Sequence, residues 1–138
     1  MTPTEEATME NQKINDTYRR PGANERIKSV NFPAIDAVAP EVRMSMNVID
    51  ASSGTEQSAI HYVRTPAGSG SPAGLHSHPW EQTFYVLEGV MTVEIEGEPE
   101  PFDLHPGDVV VFPRGVNHRN WNRGDVETRH LAFNTPRI

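Results

Sequence analysis

The feature that most constrains this chain is a series of short apolar segments that recur roughly every ten residues and are separated by glycine or proline. They are TFYVLEG, MTVEIEGE, GDVVVFPRG, VNHRNWN and TRHLAFN, all in the second half of the chain. In the second of these, Met91, Val93 and Ile95 alternate with polar residues, as a half-buried strand requires. Regular short strands of this kind predict an all-β sandwich or barrel.

The rest of the chain divides into a polar N-terminal segment and weaker strand candidates. Residues 1–26 are polar and charged without a clear period, and they predict a flexible tail or an arm that orders only against a partner. Apolar bursts follow at VNFPAI, MSMNVI and AIHYV, and a glycine-rich loop runs from Thr65 to Gly74. Because 138 residues can bury one core but not two, we expect a single barrel domain over residues 27–138.

Composition excludes several classes of function. The chain has no cysteine, which excludes disulfide frameworks, thiolate metal sites and cysteine nucleophiles. Its formal net charge is −7 and it contains no basic stripe, which argues against a nucleic-acid partner. It has neither a long apolar run nor a basic and apolar leader, so we expect no membrane partner and a cytoplasmic location. Histidine, carboxylate and amide groups remain for chemistry.

The stretch HSHPWEQ, which begins at His76, carries the strongest candidates for metal ligands. His76 and His78 are two residues apart, so on a strand their imidazoles point to the same side. Gln82 shares this parity if the strand continues through the intervening proline, and Glu81 then points away. His118 lies in the later segment PRGVNHRNWN, where a neighbouring strand can bring it across. Three imidazoles and one oxygen ligand are typical of a catalytic site for a divalent metal, whereas a single histidine is more often a packing residue.

Two gapped motifs around these histidines resemble those of the cupin family. The first, G-x5-H-x-H-x3-E-x6-G, is matched from Gly70 to Gly89 with glutamine in the glutamate position. The second, G-x5-P-x-G-x2-H-x3-N, is matched in full from Gly107 to Asn122. The resemblance implies a double-stranded β-helix, or jelly-roll barrel, that holds one divalent metal ion at its mouth and assembles as a homodimer. The ligand set that it implies is His76, His78, Gln82 and His118.

The glutamine departs from the family pattern and bears on mechanism. A glutamate would reduce the charge of the occupied site to +1, whereas neutral Gln82 leaves the full +2 of a divalent ion. Such an ion polarises a carbonyl more strongly and lowers the pKa of a bound water further, and its redox cycling becomes harder. Two alternatives stay open: Glu81 reaches in through a bulge, or Gln82 lies behind a site of three histidines.

The stretch HSHPWEQ and the C-terminal FNTPR also resemble small cupins that open unsaturated uronate sugars to linear keto forms. This resemblance implies pocket positions for Phe133 and Arg137. Leu131 stands where that group has an acid, so its substrate is not carried over to this chain. Trp80 and Phe84 are further candidates for the pocket wall. The remaining histidines have no motif spacing and are predicted to have packing or surface roles: His61, His105 and His130.

Three functions are consistent with the sequence. The leading hypothesis is a metal-dependent isomerase, cyclase or lyase that uses the ion as a Lewis acid on a small carbohydrate-like or polyketide-like substrate. The second is a dioxygenase of an enolate or aromatic substrate with Fe, Mn or Ni. The third is a domain that binds a metal or small ligand without catalysis. The ligand set does not distinguish Zn, Ni, Fe and Mn, and no residue is assigned as general acid or base.

Overall fold

The structure is a computed structural model, and it describes residues 8–13, 41–51, 54–71 and 74–136. Within these ranges the chain forms nine strands: β1 (Thr8–Lys13), β2 (Arg43–Ile49), β3 (Ala59–Thr65), β4 (Glu81–Glu88), β5 (Met91–Ile95), β6 (Phe102–Leu104), β7 (Val109–Phe112), β8 (His118–Trp121) and β9 (Thr128–Thr135). These described residues contain no helix that is long and apolar enough to span a membrane. The prediction of an all-β architecture is confirmed.

The strands form two sheets. The larger sheet has six strands in the order β1-β2-β3-β9-β4-β7, and the smaller has three in the order β6-β5-β8. Neighbouring strands are antiparallel except for β1 and β2, which pair in parallel. The last strand lies between β3 and β4, so the sheet joins segments that are distant in the chain. This topology is the double-stranded β-helix that the motifs implied.

Strand β1 lies within the segment that was predicted to be a flexible arm. Its backbone pairs with β2 at the edge of the larger sheet, where Thr8 lies opposite Arg43 and Lys13 lies opposite Asn47. The other residues of 1–26 lie outside the described residues. The arm therefore stays a prediction there.

The main apolar core lies between the two sheets, because alternate residues of each strand point inward. Phe84 and Val86 of β4 are buried, whereas Tyr85 between them is exposed. Met91 and Val93 of β5 are fully shielded from solvent, and burying a side chain of this size contributes roughly 1.5–3 kcal/mol. The cluster draws on both sheets and comprises Phe84, Val86, Met91, Val93, Leu104, Phe112 and Ala132.

A second apolar cluster lies on the opposite face of the larger sheet. Met46 pairs with Tyr62, and Tyr62 pairs with Leu131, so these side chains share a face. Leu131 precedes Ala132, which faces the main core, and alternation therefore puts the shared face on the other side. The buried members are Met44, Met46, Val48 and Tyr62. The larger sheet is thus packed on both faces.

Two glycines of the first motif are required by close backbone contacts. A Cβ on Gly70 would lie 2.5 Å from the Cβ of Trp121, because the backbones of these two residues form a bridge. A Cβ on Gly89 would lie 2.4 Å from the carbonyl oxygen of Glu127, and the φ angle of Gly89 is +76°. This left-handed conformation strains residues that carry a side chain. The glycines of the first motif are therefore needed for close contacts between backbone segments as well as for turns.

Candidate metal centre

Backbone hydrogen bonds bring the three histidines together, because they join the segment around His76 to the start of β8 and to the turn before it. The N–H of His76 donates to the carbonyl of His118 at 2.9 Å, and the N–H of His118 donates back to the carbonyl of His76 at 2.8 Å. The N–H of Gly115 donates to the carbonyl of His78 at 2.9 Å. The first motif is thereby joined to the second through an isolated antiparallel bridge.

The chain at HSHPWEQ does not form the continuous strand on which the shared parity of Gln82 was conditional. Strand β4 begins at Glu81, and residues 77–80 are not part of a strand. Pro79 accounts for the interruption, since proline has no N–H to donate to a ladder. His76 and His78 still converge on one point, but the antiparallel bridge to β8 rather than a shared strand orients them.

The imidazoles are spaced for one shared ion. The ring centroids are 4.8 Å apart for His76 and His78, 4.7 Å for His76 and His118, and 5.5 Å for His78 and His118. One ring nitrogen from each residue lies within 4.8 Å of the other two. Nitrogens that share an ion at ~2.0–2.1 Å stand about 3–4 Å apart, so a contraction of roughly 1 Å completes the site.

Backbone carbonyls fix the tautomers of two of these rings. Nδ1 of His76 lies 2.7 Å from the carbonyl oxygen of Gly74, and Nδ1 of His118 lies 3.0 Å from that of Val116. Each Nδ1 must donate a proton in these contacts, because a carbonyl oxygen only accepts. Nε2 of both rings therefore carries the lone pair that a metal ion requires.

Burial and crowding keep the imidazoles of His78 and His118 neutral. Burial, followed by the like charges of neighbouring imidazoles, lowers the pKa of His78 to about 4. Those neighbours are His76, His118 and His61. Burial also lowers the pKa of His118, against the opposing effect of its hydrogen bond to the Val116 carbonyl. At neutral pH both rings are therefore in the unprotonated form that binds metals.

Gln82 points its carboxamide oxygen at the same centre. Its Nε2 donates to Oδ1 of Asn134 at 2.9 Å, and its Oε1 lies 3.3 Å from Nε2 of His118. Because Nδ1 holds the ring proton of His118, two lone pairs face each other across this gap, and a cation between them satisfies both. Glu81 is exposed, and alternation puts it on the other face of β4. The structure therefore brings Gln82, and not Glu81, to the histidines.

Aromatic rings surround the centre at two levels. Trp80 stacks on His78 with the ring centroids 4.5 Å apart and the planes 9° apart. Phe112 stacks on His118 at 3.9 Å, and Phe84 meets Phe112 edge-on at 4.9 Å. Phe84 is 4% exposed, so it packs in the core behind Phe112 and does not itself contact a candidate ligand ring. Trp80 is only partly buried and forms an accessible wall.

Of the other two predicted pocket residues, the structure describes only Phe133. Phe133 lies between Ala132 and Asn134 on β9, and alternation turns its side chain to the face opposite Gln82. Strand parity decides which face Phe133 occupies, and its role in a substrate pocket stays a prediction. Arg137 lies outside the described residues.

Two residues beside the centre were not anticipated as part of it. Asn134 on β9 accepts the hydrogen bond from Gln82, and its own Nδ2 lies 3.3 Å from Nε2 of His61 on β3. Burial lowers the pKa of His61, and the carboxylate of Asp50 opposes this effect. The segment AIHYV gives no indication of its register with β9, so no spacing in the sequence could have revealed this contact.

Comparisons with known proteins agree with this architecture. The chain is 39% identical over 66 residues to Protein SchB of Streptomyces halstedii, a match that covers 45% of this chain and 46% of that protein. It is 37% identical over 81 residues to dimethylsulfoniopropionate lyase DddQ of Ruegeria pomeroyi, covering 51% of this chain and 39% of that protein. The chain thus spans less than half the length of these two curated relatives.

Solved structures show the same fold. The crystal structure of DddQ matches with a TM-score of 0.53 at 31% identity, over 59% of this chain and 39% of that chain. An RmlC-like cupin with a double-stranded β-helix fold from Methanocaldococcus jannaschii matches with a TM-score of 0.62 at 20% identity, over 72% of this chain and 84% of that chain. Residues 61–134, more than half of the chain, match the Cupin_2 family, described as the cupin domain. The chain therefore belongs to the Cupin_2 family.

Proposed function

We propose that this cupin is a metal-dependent enzyme that uses a divalent ion as a Lewis acid to isomerise, cyclise or cleave a small oxygenated molecule. The observation that carries the proposal is the cluster of three imidazoles, one ring nitrogen of each lying within 4.8 Å of the others, with the oxygen of Gln82 3.3 Å from Nε2 of His118. These four donors are all neutral, and they suit Zn, Ni, Fe or Mn. Fewer than six donors leave positions at which a substrate oxygen can bind.

The uncharged ligand set favours Lewis-acid chemistry. A divalent ion held there would keep its full +2 charge and polarise a carbonyl or enol oxygen of the substrate. The chain's own residues supply the surroundings: Trp80 covers one side, and Phe112 excludes water behind His118. A site of low polarity strengthens electrostatic interactions within it.

The similarity to DddQ supports elimination as one of the candidate reactions. DddQ is named a dimethylsulfoniopropionate lyase, and the match covers 39% of its length. A lyase activity and a small-molecule substrate for this chain are therefore part of the proposal.

Metal content is the first test. Purified protein should retain one divalent ion per chain, as measured by elemental analysis after incubation with Zn, Ni, Fe or Mn and removal of excess metal. His118→Ala removes a ligand and should abolish this binding. His105→Ala is the matched control, because His105 is exposed and lies away from the cluster. Wild-type protein that stays free of metal under these conditions would contradict the proposal.

A substrate screen with and without oxygen is the second test. Carbonyl, enol and carboxylate compounds are incubated with the loaded enzyme in aerobic and anaerobic buffer. Lewis-acid chemistry should give the same product at the same rate in both, with no oxygen consumed. Turnover that requires and consumes oxygen would instead support the dioxygenase.

A further inference from the structure

A chain of side-chain hydrogen bonds runs from the metal centre across the inner face of the larger sheet. Oε1 of Gln82 faces the histidines, and its Nε2 donates to Oδ1 of Asn134 at 2.9 Å. Nδ2 of Asn134 then lies 3.3 Å from Nε2 of His61. Three strands contribute one residue each, since Gln82 is on β4, Asn134 on β9 and His61 on β3.

We propose that Asn134 and His61 are positioning residues that make Gln82 a metal ligand by holding the oxygen of its carboxamide, and not its NH2 group, toward the metal site. This inference rests on the proposed function, because it concerns the ion that the centre holds. It assigns a purpose to two residues that bind no metal themselves.

The direction of these hydrogen bonds decides which end of the Gln82 carboxamide faces the metal site. A carboxamide donates at one end and accepts at the other, so two carboxamides in series must point the same way. In the observed direction, Asn134 donates to His61 and accepts from Gln82, which leaves the oxygen of Gln82 free for the ion. In the opposite direction, Asn134 would accept from His61 and donate to Gln82, and an NH2 group without a lone pair would face the ion.

His61 suits the observed direction when its ring is neutral and its proton is on Nδ1. Nε2 of His61 must accept the proton of Asn134, which requires that the proton of the neutral ring be on Nδ1. Burial lowers the pKa of His61, and although the Asp50 carboxylate opposes this, the net shift keeps the ring neutral at pH 7. Asn134 is 5% exposed, so water has little access to replace either of its hydrogen bonds. A glutamate in place of Gln82 would need no such support, because its two oxygens are equivalent.

The test is a Co(II) titration of metal-free protein in competition with a chelator, with visible absorption as the second readout. Asn134→Leu should weaken Co(II) binding by about 10–100-fold, the usual effect of losing a group that orients a ligand, and should change the absorption bands because an oxygen ligand is lost. Asn134→Asp keeps an acceptor for Gln82 and should restore wild-type bands and near wild-type affinity.

The Gln82→Glu background separates orientation from simple structural support. If Asn134 acts by orienting an amide, Asn134→Leu should cost much less affinity in Gln82→Glu protein than in the native background. Equal losses in both backgrounds would overturn the inference, as would wild-type affinity and bands in Asn134→Leu. If Asn134→Leu fails to fold, His61→Leu answers the same question, with His130→Leu as the control that removes a buried imidazole outside the chain of hydrogen bonds.

The outcomes distinguish this inference from the proposed function. Wild-type protein that binds no Co(II) overturns both. Wild-type protein that binds Co(II), together with Asn134→Leu and His61→Leu variants that bind it equally well, overturns only the positioning roles. Circular dichroism of each metal-free variant establishes that the compared proteins are folded.

Discussion

Lowering the pH should destabilise the metal-free protein through His130, because burial in the folded protein disfavours the charged form of this ring. His130 is 1% exposed, and its ring centroid lies 4.4 Å from that of Phe84. Burial, followed by the positive charges of Arg43 and His61, lowers the pKa of His130 from 6.5 to about 3. The folded protein therefore holds this imidazole neutral over a range in which the unfolded chain is protonated.

The sign and size of the effect follow from this difference in pKa. The contribution of neutral His130 to stability is fully present above pH 6.5 and is lost as the pH falls toward about 3, because the unfolded chain gains its proton first. The slope approaches ~1.4 kcal/mol per pH unit. Between pH 7 and pH 5 the loss amounts to about 2 kcal/mol from this one residue.

Urea denaturation in excess chelator at the two pH values measures this loss. His130→Leu should lose about 2 kcal/mol less than wild-type protein does between pH 7 and pH 5, because leucine does not titrate. Other titrating groups are common to both proteins and cancel in the difference. His105→Leu, at an exposed position, should show the wild-type loss. If His130→Leu and wild type lose the same stability, the reasoning from burial is refuted.

Three further predictions test the turn, the wall and the ligand. In urea denaturation, Gly89→Ala should destabilise the protein more than Gly97→Ala, by roughly 1–3 kcal/mol. A Cβ at residue 89 would lie 2.4 Å from the carbonyl oxygen of Glu127, whereas a Cβ at residue 97 has no neighbour within 4 Å. Equal losses of stability would contradict the close contact at Gly89. Co(II) should quench tryptophan fluorescence mainly through Trp80, because Trp80 stacks on the ring of His78. Trp80→Phe should therefore remove most of the quenching and Trp121→Phe little of it. The reverse pattern would count against the site. Gln82→Glu adds a negative ligand and should tighten divalent metal binding by about tenfold in chelator competition; weaker binding would argue that Gln82 is not a ligand.

Much of the fold was predictable because its signals are local. Strand periodicity and the glycines at the breaks predicted an all-β barrel, and the two motifs narrowed this to a double-stranded β-helix, which the topology confirms. The motif spacing also indicated four candidate ligands; the structure groups His76, His78 and His118 and puts the oxygen of Gln82 3.3 Å from Nε2 of His118. Along β4 Phe84 is buried and Tyr85 is exposed, because successive side chains of a single strand point to opposite faces.

The sequence by itself therefore determined two things. It indicated the candidate ligands, which lie within two short motifs, and it indicated the all-β architecture that carries them. Only the tertiary structure decided that Asn134 and His61 lie behind Gln82, that Phe112 backs His118, and that Phe133 faces away. Each of these depends on the register between strands that are far apart in the chain. Register is set by how whole strands pack and pair. A shift of one residue in register moves every side chain of a strand to the other face of the sheet, and local spacing in the sequence does not specify it.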